Sequence, residues 1–366
     1  MRIWIDKIAS ATKNVPVRRE TRLIDKIVAE PGYVIAGRVH GEKTVYNTLE
    51  DLHGRMVALH EGDVIAGVLG HRNALHGYSG FVPESISVGD RLQLLNLGGV
   101  IGQCTSQNPE VGRPFDIEVL GAVLVFPDFE SRAGVPAHIG MNAIACDGHE
   151  PLSVPVIYVA GTCMNSGKTA AACQLVHRLT TRGVAVGACK LTGVSLRRDT
   201  LQMADEGARW AVSFTDAGIV STSADNAVPV ARGLLRHLAQ AGAEVIVAEL
   251  GDGILGEYGV QPILSDPQLM SVAALIILCA NDPVGAWGAQ RVMRESFGLA
   301  IDVVSGPTTD NAVGTRYIQQ HLGLAAINAR TQGAELGEFV AQRLAQRREC
   351  PPPSRALEDP AQRVAS

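Results

Sequence analysis

The feature that most constrains the fold is a glycine-rich segment between an apolar run and a helix-like stretch. This segment is AGTCMNSGKT, residues 160–169; VPVIYV precedes it and AAACQLVHRL follows it. Strand, glycine-rich loop and helix in this order form a P-loop, in which backbone N–H groups and a lysine bind phosphate and a hydroxyl binds Mg²⁺. The commonest spacing is G-x-x-x-x-G-K-[ST], whereas here Gly161 comes one place earlier and Thr162 takes the usual glycine position. A chance G-K-T in a turn is the alternative, and the strand and helix context favours the P-loop.

The distribution of apolar residues changes near residue 150. From residue 154, apolar runs such as VAVGACKL, EVIVAELG and ALIILCAN alternate with longer amphipathic stretches, which predicts an α/β fold with a parallel sheet and helices on both faces. Before that point, short β-rich runs between Gly, Pro, Asn and Asp turns predict a barrel- or sandwich-like domain. We therefore predict a β-rich domain at 1–150 for substrate or partner recognition, a P-loop NTPase domain at 152–347 and a disordered tail at 348–366.

Composition excludes several classes of protein. The 366 residues suffice for two domains, and a net charge of −5 argues against nucleic acid as the main partner. Seven cysteines without a C-x-x-C pair indicate reduced thiols rather than a disulfide framework, as expected for a cytoplasmic protein. No run approaches 18 apolar residues and the N-terminus has no continuous apolar segment, so we expect neither export nor a membrane partner.

The loop G-T-x-x-N-S-G-K-T resembles that of dethiobiotin synthetase and its relatives, whose pattern is G-T-x-x-x-x-G-K-T. The second half as a whole, about residues 154–330, is similar to an uncharacterised P-loop family allied to that enzyme, here with an extra N-terminal β domain. The portion N-S-G-K-T also resembles the molybdopterin-guanine dinucleotide biosynthesis protein B. The resemblance implies that the nucleotide phosphates are bound by Gly161, Thr162, Asn165, Ser166, Gly167, Lys168 and Thr169.

The resemblance extends to the strand after the first helix, which in dethiobiotin synthetase ends in K-P-V-x-[ST]-G, followed by an aspartate that approaches Mg²⁺. Here the strand ends in CKLTG, with Lys190, and Arg197, Arg198 and Asp199 lie beyond it; the proline is missing and the glycine comes sooner. The resemblance implies that Lys190 neutralises the transferring phosphoryl group, with either arginine as a weaker candidate, and that Asp199 lies near the metal. An ordinary surface lysine is the alternative for Lys190.

A third element is an acid at the end of a predicted buried strand. EVIVAELGDG places Glu249 where the relatives carry the glutamate of E-G-A-G-G, and Asp252 follows three residues later. Burying an unpaired charge is costly, so Glu249 indicates a metal or cationic partner, a structural strand-end carboxylate being the alternative. Because parallel strands place ligands at their carboxyl ends, we expect Thr169, Glu249 and Asp199 to hold Mg²⁺. Catalysis would then rest on Lys168, Lys190 and Glu249.

The base-binding loop is less well defined. The guanine signature N-K-x-D is not matched by CANDPVG, so ATP is favoured over GTP. In the relatives the base lies by the loop after the last core strand, here SGPTTDN at 305–311. Thr308, Asp310 and Asn311 are its candidate base contacts, although such residues are expected in any turn.

Five of the ten histidines lie between residues 40 and 76. The segment HRNALHGYSG offers a substrate-facing loop for an anionic substrate or, less plausibly, a zinc site, with ordinary loop residues as the alternative. The residues concerned are His71, Arg72, Asn73, His76 and Tyr78.

These features predict an ATP- and Mg²⁺-dependent enzyme that phosphorylates a small acidic substrate. The acyl or carbamoyl phosphate formed is either released, by a kinase, or captured by an amine, by a ligase. Two other classes stay open: a nucleotide-driven cofactor-assembly or metallochaperone NTPase acting on a client protein, and a module in which ATP only stabilises structure. The resemblance also implies a homo-oligomer, since relatives of this class often dimerise.

Overall fold

The chain divides into two compact units. The computed structural model describes residues 1–127 and 133–349. Of the tail predicted at 348–366, residues 348 and 349 end the last helix, and residues 350–366 lie outside the described residues. The first unit comprises Met1–Ala145, Val194–Asp199 and Ser213–Thr222, and the second comprises the rest of the chain. A β-rich sheet followed by a parallel α/β sheet confirms the predicted fold class.

Within residues 1–127 and 133–145, the first unit contains thirteen strands and no α-helix. Eleven strands form one mostly antiparallel sheet with the path β1-β3-β12-β4-β7-β11-β9-β8; β10, β13 and β2 pair off this path, and β5 and β6 form a separate pair. The strands are β1 Arg2–Trp4, β2 Lys7–Ile8, β3 Glu20–Ile24, β4 Val34–His40, β5 Thr48–Glu50, β6 Met56–Ala58, β7 Val64–Leu69, β8 Arg72–Asn73, β9 Tyr78–Phe81, β10 Arg91–Leu94, β11 Val100–Gln107, β12 Asp116–Val125 and β13 Val135–Pro136. Short 3₁₀ segments lie at Ser10–Thr12, Pro109–Val111 and Ile139–Asn142.

The central strands of this sheet are buried on both faces, which explains their continuous apolar runs. In β4, Val34 and Ala36 belong to one apolar cluster and Ile35 belongs to another. Alternating residues of β7 divide between the same two clusters. The long strand β12 pairs with β3, β4 and β10, and its register shifts at Gly121, whose φ of +145° suits glycine.

Two segments from the second half of the sequence fold into the first unit. Ser195 donates its N–H to the Val220 carbonyl over 2.8 Å, and the Asn96 side chain donates to the Ser195 carbonyl over 2.8 Å. Val220, 3% exposed, joins the cluster of Val34 and Ala36. The sequence-based boundary placed both segments, 194–199 and 213–222, within the P-loop domain; contacts between distant residues assign them to the β-rich unit.

The second unit is built on a seven-stranded sheet with the order β16-β15-β17-β14-β18-β19-β20, whose described ladders between β15 and β20 are parallel. The strands are β14 Val156–Gly161, β15 Val186–Lys190, β16 Trp210–Ser213, β17 Val245–Glu249, β18 Ala273–Cys279, β19 Val303–Ser305 and β20 Ala325–Ala326. The helices are α1 Lys168–Thr180, α2 Arg198–Asp205, α3 Ala227–Ala241, α4 Val260–Ser265, α5 Pro267–Ser271, α6 Pro283–Phe297, α7 Ala312–Tyr317 and α8 Gly333–Glu349. A 3₁₀ turn, Pro307–Thr309, and a π-helical turn, Ile318–Leu322, flank α7.

Helices cover both faces of the second sheet. Apolar residues of α1 and α8 pack in one cluster with alternate residues of β14 and β17. On the opposite face Gly187 of β15 packs closely against α3 and the turn after it, since a Cβ there would lie 3.0 Å from the Ala243 Cβ and 3.4 Å from the Leu238 Cβ. This packing buries β14, β17 and β18 completely and places their carboxyl ends along one edge.

Across residues 1–127 and 133–349, no helix is long and apolar enough to cross a bilayer. Six cysteines are present as free thiols; Cys173, Cys189 and Cys279 are buried, and the other three are partly exposed.

Candidate nucleotide-binding site

The P-loop connects β14, which ends at Gly161, with α1, which begins at Lys168. Gly167 precedes the helix with φ +91°, and Asn165 also adopts a left-handed conformation, with φ +59°. In the described part of the chain no side chain caps the first turn of this 13-residue helix. The backbone N–H groups at the start of α1 are therefore available to an anion, and the helix dipole favours its binding.

Lys168 crosses the inside of this loop. Its side chain passes over Gly161, where a Cβ would approach the Lys168 Cδ to 2.8 Å, so the glycine at this position is required by close packing. The ammonium donates to the Cys163 carbonyl over 2.7 Å, and the residue is 5% exposed. Burial lowers the pKa of Lys168, while the negative charge of Glu249 opposes this shift. A phosphate oxygen in the loop would replace the Cys163 carbonyl as the partner of this ammonium.

Thr169 and Glu249 place two oxygen donors next to the loop. Glu249 is the last residue of β17 and is 2% exposed, and the Thr169 hydroxyl donates to its Oε1 over 3.2 Å. A hydroxyl and a carboxylate suit Mg²⁺, which binds oxygen and usually retains several waters. Among residues 1–127 and 133–349, no group of three or more His, Cys, Asp and Glu is arranged to hold a metal ion. A hydroxyl and a carboxylate, with water at the remaining positions, fit a hydrated Mg²⁺.

Lys190 lies beside this pair. It ends β15 and is the register partner of Glu249 across the parallel ladder. A Cβ on Gly251 would lie 2.9 Å from the Lys190 Cε, so the lysine stem runs along the loop that follows Glu249. The positive charge of Lys190 adds to the burial that lowers the pKa of Lys168. The structure thus brings together Lys168, Lys190 and Glu249.

Asp199 and the two arginines belong to the first unit, in the segment Val194–Asp199. Asp199 is 7% exposed, and its Oδ1 lies 3.7 Å from Arg198 Nε. The backbone N–H groups of Arg197 and Arg198 donate to the Glu50 carboxylate, both over 2.7 Å. The roles of these three residues at a metal or phosphate remain predictions from resemblance.

The loop after β19 packs against the P-loop. Gly306 has φ +86°, and a Cβ there would overlap the Ser166 carbonyl and lie 3.0 Å from the Ala280 backbone. Within the described residues, the buried hydroxyls of Ser166 and Thr308 have no hydrogen-bond partner. Ser166 lies in the loop that is predicted to bind the phosphates, and Thr308 lies in the loop that is predicted to contact the base.

The other two candidate base contacts have structural partners. Asp310 Oδ1 accepts a hydrogen bond from Asn328 over 2.8 Å. Asn311 Oδ1 accepts from the Val313 N–H over 2.9 Å and so caps α7. Their contact with a base, like that of Thr308, stays a prediction.

Two residues near the loop were not among the predicted site residues. The Asn281 amide donates to the Cys163 thiol over 3.1 Å, and the sequence around it, CANDPVG, carries no recognised nucleotide-binding signature. Asp252 has φ +72° and was noted only as a second acid after Glu249. The signal in its sequence is the pair of glycines that flank it, since neighbouring glycines often mark close backbone packing.

The histidine-containing segment of the first unit is largely engaged within its own sheet. Arg72, 3% exposed, donates to the Tyr46 hydroxyl over 2.9 Å and to the Leu95 carbonyl. Burial raises the pKa of Tyr78 to about 12, and its hydroxyl donates to the Val111 carbonyl over 3.1 Å. The N–H of Val82 donates to the His71 ring over 3.3 Å, and burial lowers the pKa of that ring. Recognition of a substrate by this segment remains a prediction.

Comparisons with known proteins give the following likenesses. No family model matches the chain, and no curated protein matches it. A DUF1611-family protein from Anabaena variabilis has TM-score 0.39 and 12% identity, over 59% of this chain and 68% of that one. The chloroplast FtsY of Physcomitrella patens has TM-score 0.35 and 12% identity, over 56% and 68%. The FtsY of Thermotoga maritima has TM-score 0.34 and 16% identity, over 53% and 70%. These TM-scores are too low for the likenesses to support any argument about this chain, so the strand order and the loop geometry are the evidence for its fold. The resemblance to dethiobiotin synthetase stays a prediction.

Proposed function

We propose that the protein binds Mg·ATP at the P-loop and transfers the γ-phosphoryl group to a small acidic substrate. The observation that carries this proposal is the juxtaposition of Lys168, Thr169, Lys190 and Glu249 at the carboxyl ends of β14, β15 and β17. Two cations and a pair of oxygen donors beside an uncapped helix N-terminus match the needs of phosphoryl transfer, in which positioning and charge neutralisation supply most of the catalysis.

Each residue has a physical role in this proposal. Loop N–H groups bind the phosphates, and Lys168 moves from the Cys163 carbonyl to a phosphate oxygen. Thr169 and Glu249 would hold Mg²⁺, through which charge on the phosphate oxygens is neutralised. Lys190 attracts the transferring group or the substrate carboxylate.

The reaction forms a mixed anhydride. An oxygen of the substrate carboxylate or carbamate attacks the γ-phosphorus, and the bond from phosphorus to the bridging oxygen breaks, with its electron pair leaving on ADP. The acyl or carbamoyl phosphate is then released, which defines a kinase, or captured by an amine that expels inorganic phosphate, which defines a ligase.

The residues after β18 support ATP over GTP. In the guanine signature N-K-x-D the aspartate follows the asparagine by three residues, and the residue at that position after Asn281 is Val284. The neighbouring Asp282 accepts the Gly285 N–H over 2.8 Å and caps α6. An apolar side chain in place of the signature aspartate cannot pair with the guanine edge. Competition between ATP and GTP for the full chain measures this preference.

The test is ADP release by the full chain with Mg·ATP, with and without a panel of small carboxylic and amino acids. We expect one class of acid to stimulate release. Lys168→Ala should lower the stimulated rate by at least about 100-fold, because it removes the cation that meets the phosphates. Lys26→Ala, at an exposed lysine of the first unit, is the control and should leave the rate unchanged. An undiminished rate in Lys168→Ala would reject the site.

A second candidate function, a nucleotide-driven switch acting on a client protein, is supported by one observation. The chain passes from Lys190, at the end of β15, into a segment of the first unit that begins at Val194. Three residues of the chain, Leu191, Thr192 and Gly193, therefore separate Lys190 from the first unit. ATP hydrolysis that responds to no small acid but rises with a client protein would favour this function.

A further inference from the structure

A polar cleft opens on the sheet of the first unit, where β11 leaves β10 to pair with β9. β10 pairs with β11 at Gln93 and Leu94, whereas from Gln103 onward β11 pairs with β9. The cleft beside this diverging part of β11 has a volume of about 410 Å³, which lies within the range of small-molecule sites. Its walls are β10, the second half of β11 and the start of β12, all of them in the first unit.

Gln93 bridges two walls of this cleft. Its side-chain oxygen accepts the N–H of Cys104 over 2.9 Å, and its amide donates to Asp116 Oδ1 over 2.9 Å. One side chain thus joins β11 to β12. The Asp116 carboxylate, which also lines the cleft, is therefore hydrogen-bonded to an amide and makes no ion pair with an arginine in the described part of the chain.

Two arginines that line the cleft have no ion pair. Arg91 lies in β10; its partner across the ladder is Glu118, whose carboxylate is bound by His40 Nε2 over 2.8 Å. Arg113 lies in the loop before β12, and Lys43 holds that loop by donating to the Arg113 carbonyl. Among the residues that the structure describes, neither guanidinium makes a hydrogen bond or an ion pair. Both are exposed and available to an anion.

The rest of the lining is polar. Apart from Pro114 and the Cys104 thiol, its described residues carry amides and hydroxyls, on Gln103, Gln107, Thr105 and Ser106. Such a lining has no aromatic face on which a nucleobase could stack and little apolar surface for an aliphatic chain. It suits a small ligand that is negatively charged and accepts hydrogen bonds along its length.

The positions of the arginines favour an extended ligand over a compact one. In the ladder between β10 and β12, Gln93 pairs with Asp116; Arg91 lies two residues before Gln93, and Arg113 lies three before Asp116. Because these strands are antiparallel, the two arginines lie on opposite sides of this pair. The Asp116 carboxylate would repel a compact dianion such as phosphate between them, whereas a dianion with its charges at two ends places each charge beside a guanidinium.

We propose that this cleft is a binding site for a small dicarboxylate, with one carboxylate bound by Arg91 and the other by Arg113. A planar guanidinium binds a carboxylate through two parallel hydrogen bonds, which supply both charge and orientation. The amides and hydroxyls of the lining contact the groups between the two carboxylates. The site belongs to the first unit and does not depend on phosphoryl transfer at the P-loop.

The experiment measures binding of dicarboxylates of increasing length to the full chain by calorimetry, without nucleotide. Succinate, glutarate and adipate are the ligands; butyrate, which has one carboxylate, and inorganic phosphate, which is a compact anion, are the comparisons. Arg91→Gln and Arg113→Gln each remove one charge and keep a hydrogen-bonding side chain. Arg18→Gln, at an exposed arginine of the same unit outside the cleft, is the matched control.

A second measurement locates the ligand without any variant. Cys104 lines the cleft and is partly exposed, and Cys146 and Cys163 are partly exposed elsewhere in the chain. Labelling with a maleimide, followed by mass spectrometry of each cysteine-containing peptide, reports which thiol a bound dicarboxylate shields. Occupation of the cleft should slow the labelling of Cys104 and leave the labelling of the other two unchanged.

We expect at least one dicarboxylate of the series to bind saturably at one site per chain. Its Kd should rise by about 10- to 100-fold in Arg91→Gln and in Arg113→Gln, because each variant loses hydrogen bonds to a charged group, and should stay at the wild-type value in Arg18→Gln. Butyrate and phosphate should bind at least about 10-fold more weakly. Added salt should weaken binding, because the two cations are exposed.

Different results would overturn different parts of this proposal. If none of the three dicarboxylates binds saturably, or if phosphate binds more tightly than all of them, the ligand class is rejected. If both arginine variants bind with the wild-type affinity, or if the ligand shields Cys163 in place of Cys104, the cleft is rejected as its site. None of these results rejects the proposed phosphoryl transfer, which ADP release tests separately.

Discussion

Two buried carboxylates, one in each unit, stand in contrasting surroundings. Glu50, at the end of β5, is 0% exposed, and it accepts hydrogen bonds from the Ser10 hydroxyl and from the N–H groups of Arg197 and Arg198. All three partners are neutral donors, and two of them belong to a backbone that is fixed by its own fold. Such a carboxylate organises the chain around it, because moving it would leave buried groups unsatisfied.

Glu249, 2% exposed at the end of β17, has different neighbours. It accepts the Thr169 hydroxyl and lies opposite Lys190 in the ladder, and its charge acts on Lys168. Hydroxyls and lysine ammonium groups can exchange partners when a ligand arrives. Under the proposed function, burial alone does not distinguish a metal-binding acid from a structural one, whereas the charge and mobility of its partners do.

The largest effect that separates the two carboxylates is expected at Glu249. Glu249→Gln keeps the size of the side chain and removes the charge that Mg²⁺ needs. The half-saturating Mg²⁺ concentration should rise, or the rate should fall, by about 10- to 100-fold. Mg²⁺ titration of ADP release measures this, with the melting temperature of the nucleotide-free protein as control. A lower melting temperature with unchanged Mg²⁺ dependence would make Glu249 structural, like Glu50.

The reverse outcome is expected for Glu50. Glu50→Gln replaces an acceptor of three hydrogen bonds by an amide that has one acceptor oxygen and a buried NH₂ group. We expect the free energy of unfolding to fall by about 1–3 kcal/mol, measured by urea denaturation. The half-saturating Mg²⁺ concentration should stay within about 2-fold of wild type, because Glu50, in the described part of the chain, hydrogen-bonds to none of the proposed metal donors and so should not show the effect of about 10- to 100-fold expected of a residue that supports a metal. A large Mg²⁺ effect in this variant would show that the segment of Arg197–Asp199 takes part in metal binding.

The smallest effects are expected at the two hydroxyl groups that donate to these carboxylates, on Ser10 and Thr169. Ser10→Ala removes one of the three donors to Glu50 and should lower the free energy of unfolding by about 0.5–1.5 kcal/mol, with no change in Mg²⁺ dependence. Thr169→Ala removes the corresponding donor to Glu249 and is the counterpart, expected to change Mg²⁺ dependence more than stability. If Ser10→Ala and Thr169→Ala lose the same free energy of unfolding and show the same Mg²⁺ dependence, the proposed difference between Glu50 and Glu249 is contradicted.

The sequence predicted local features well because these depend on local periodicity. Continuous apolar runs around 156–161 and 245–249 predicted parallel strands, and G-K-T after the first run predicted the loop and its helix. Glu249 could be singled out because an acid interrupts an apolar strand. Each of these inferences uses neighbours within a few residues.

Features set by distant contacts could not be predicted in this way. Asn96 and Ser195 are 99 residues apart, and nothing near Ser195 indicates that it folds with the β-rich unit. Glu50, in the run TLEDL, resembles any strand-end acid until its partners are known. The contact of Gly306 with the P-loop depends on the adjacency of β18 and β19, which follows from strand order and not from the loop sequence.

The central claim is that Lys168 and its neighbours bind a Mg²⁺-bound nucleotide, and calorimetric titration of the full chain with ATP tests it most directly. The structure predicts saturable binding that requires Mg²⁺, that is weakened at least about 10-fold in Lys168→Ala and that is unchanged in Lys26→Ala. Two results would contradict the assignment of this loop as a nucleotide site. One is no binding of ATP by wild type; the other is binding by Lys168→Ala with the wild-type affinity, whether or not Mg²⁺ is present.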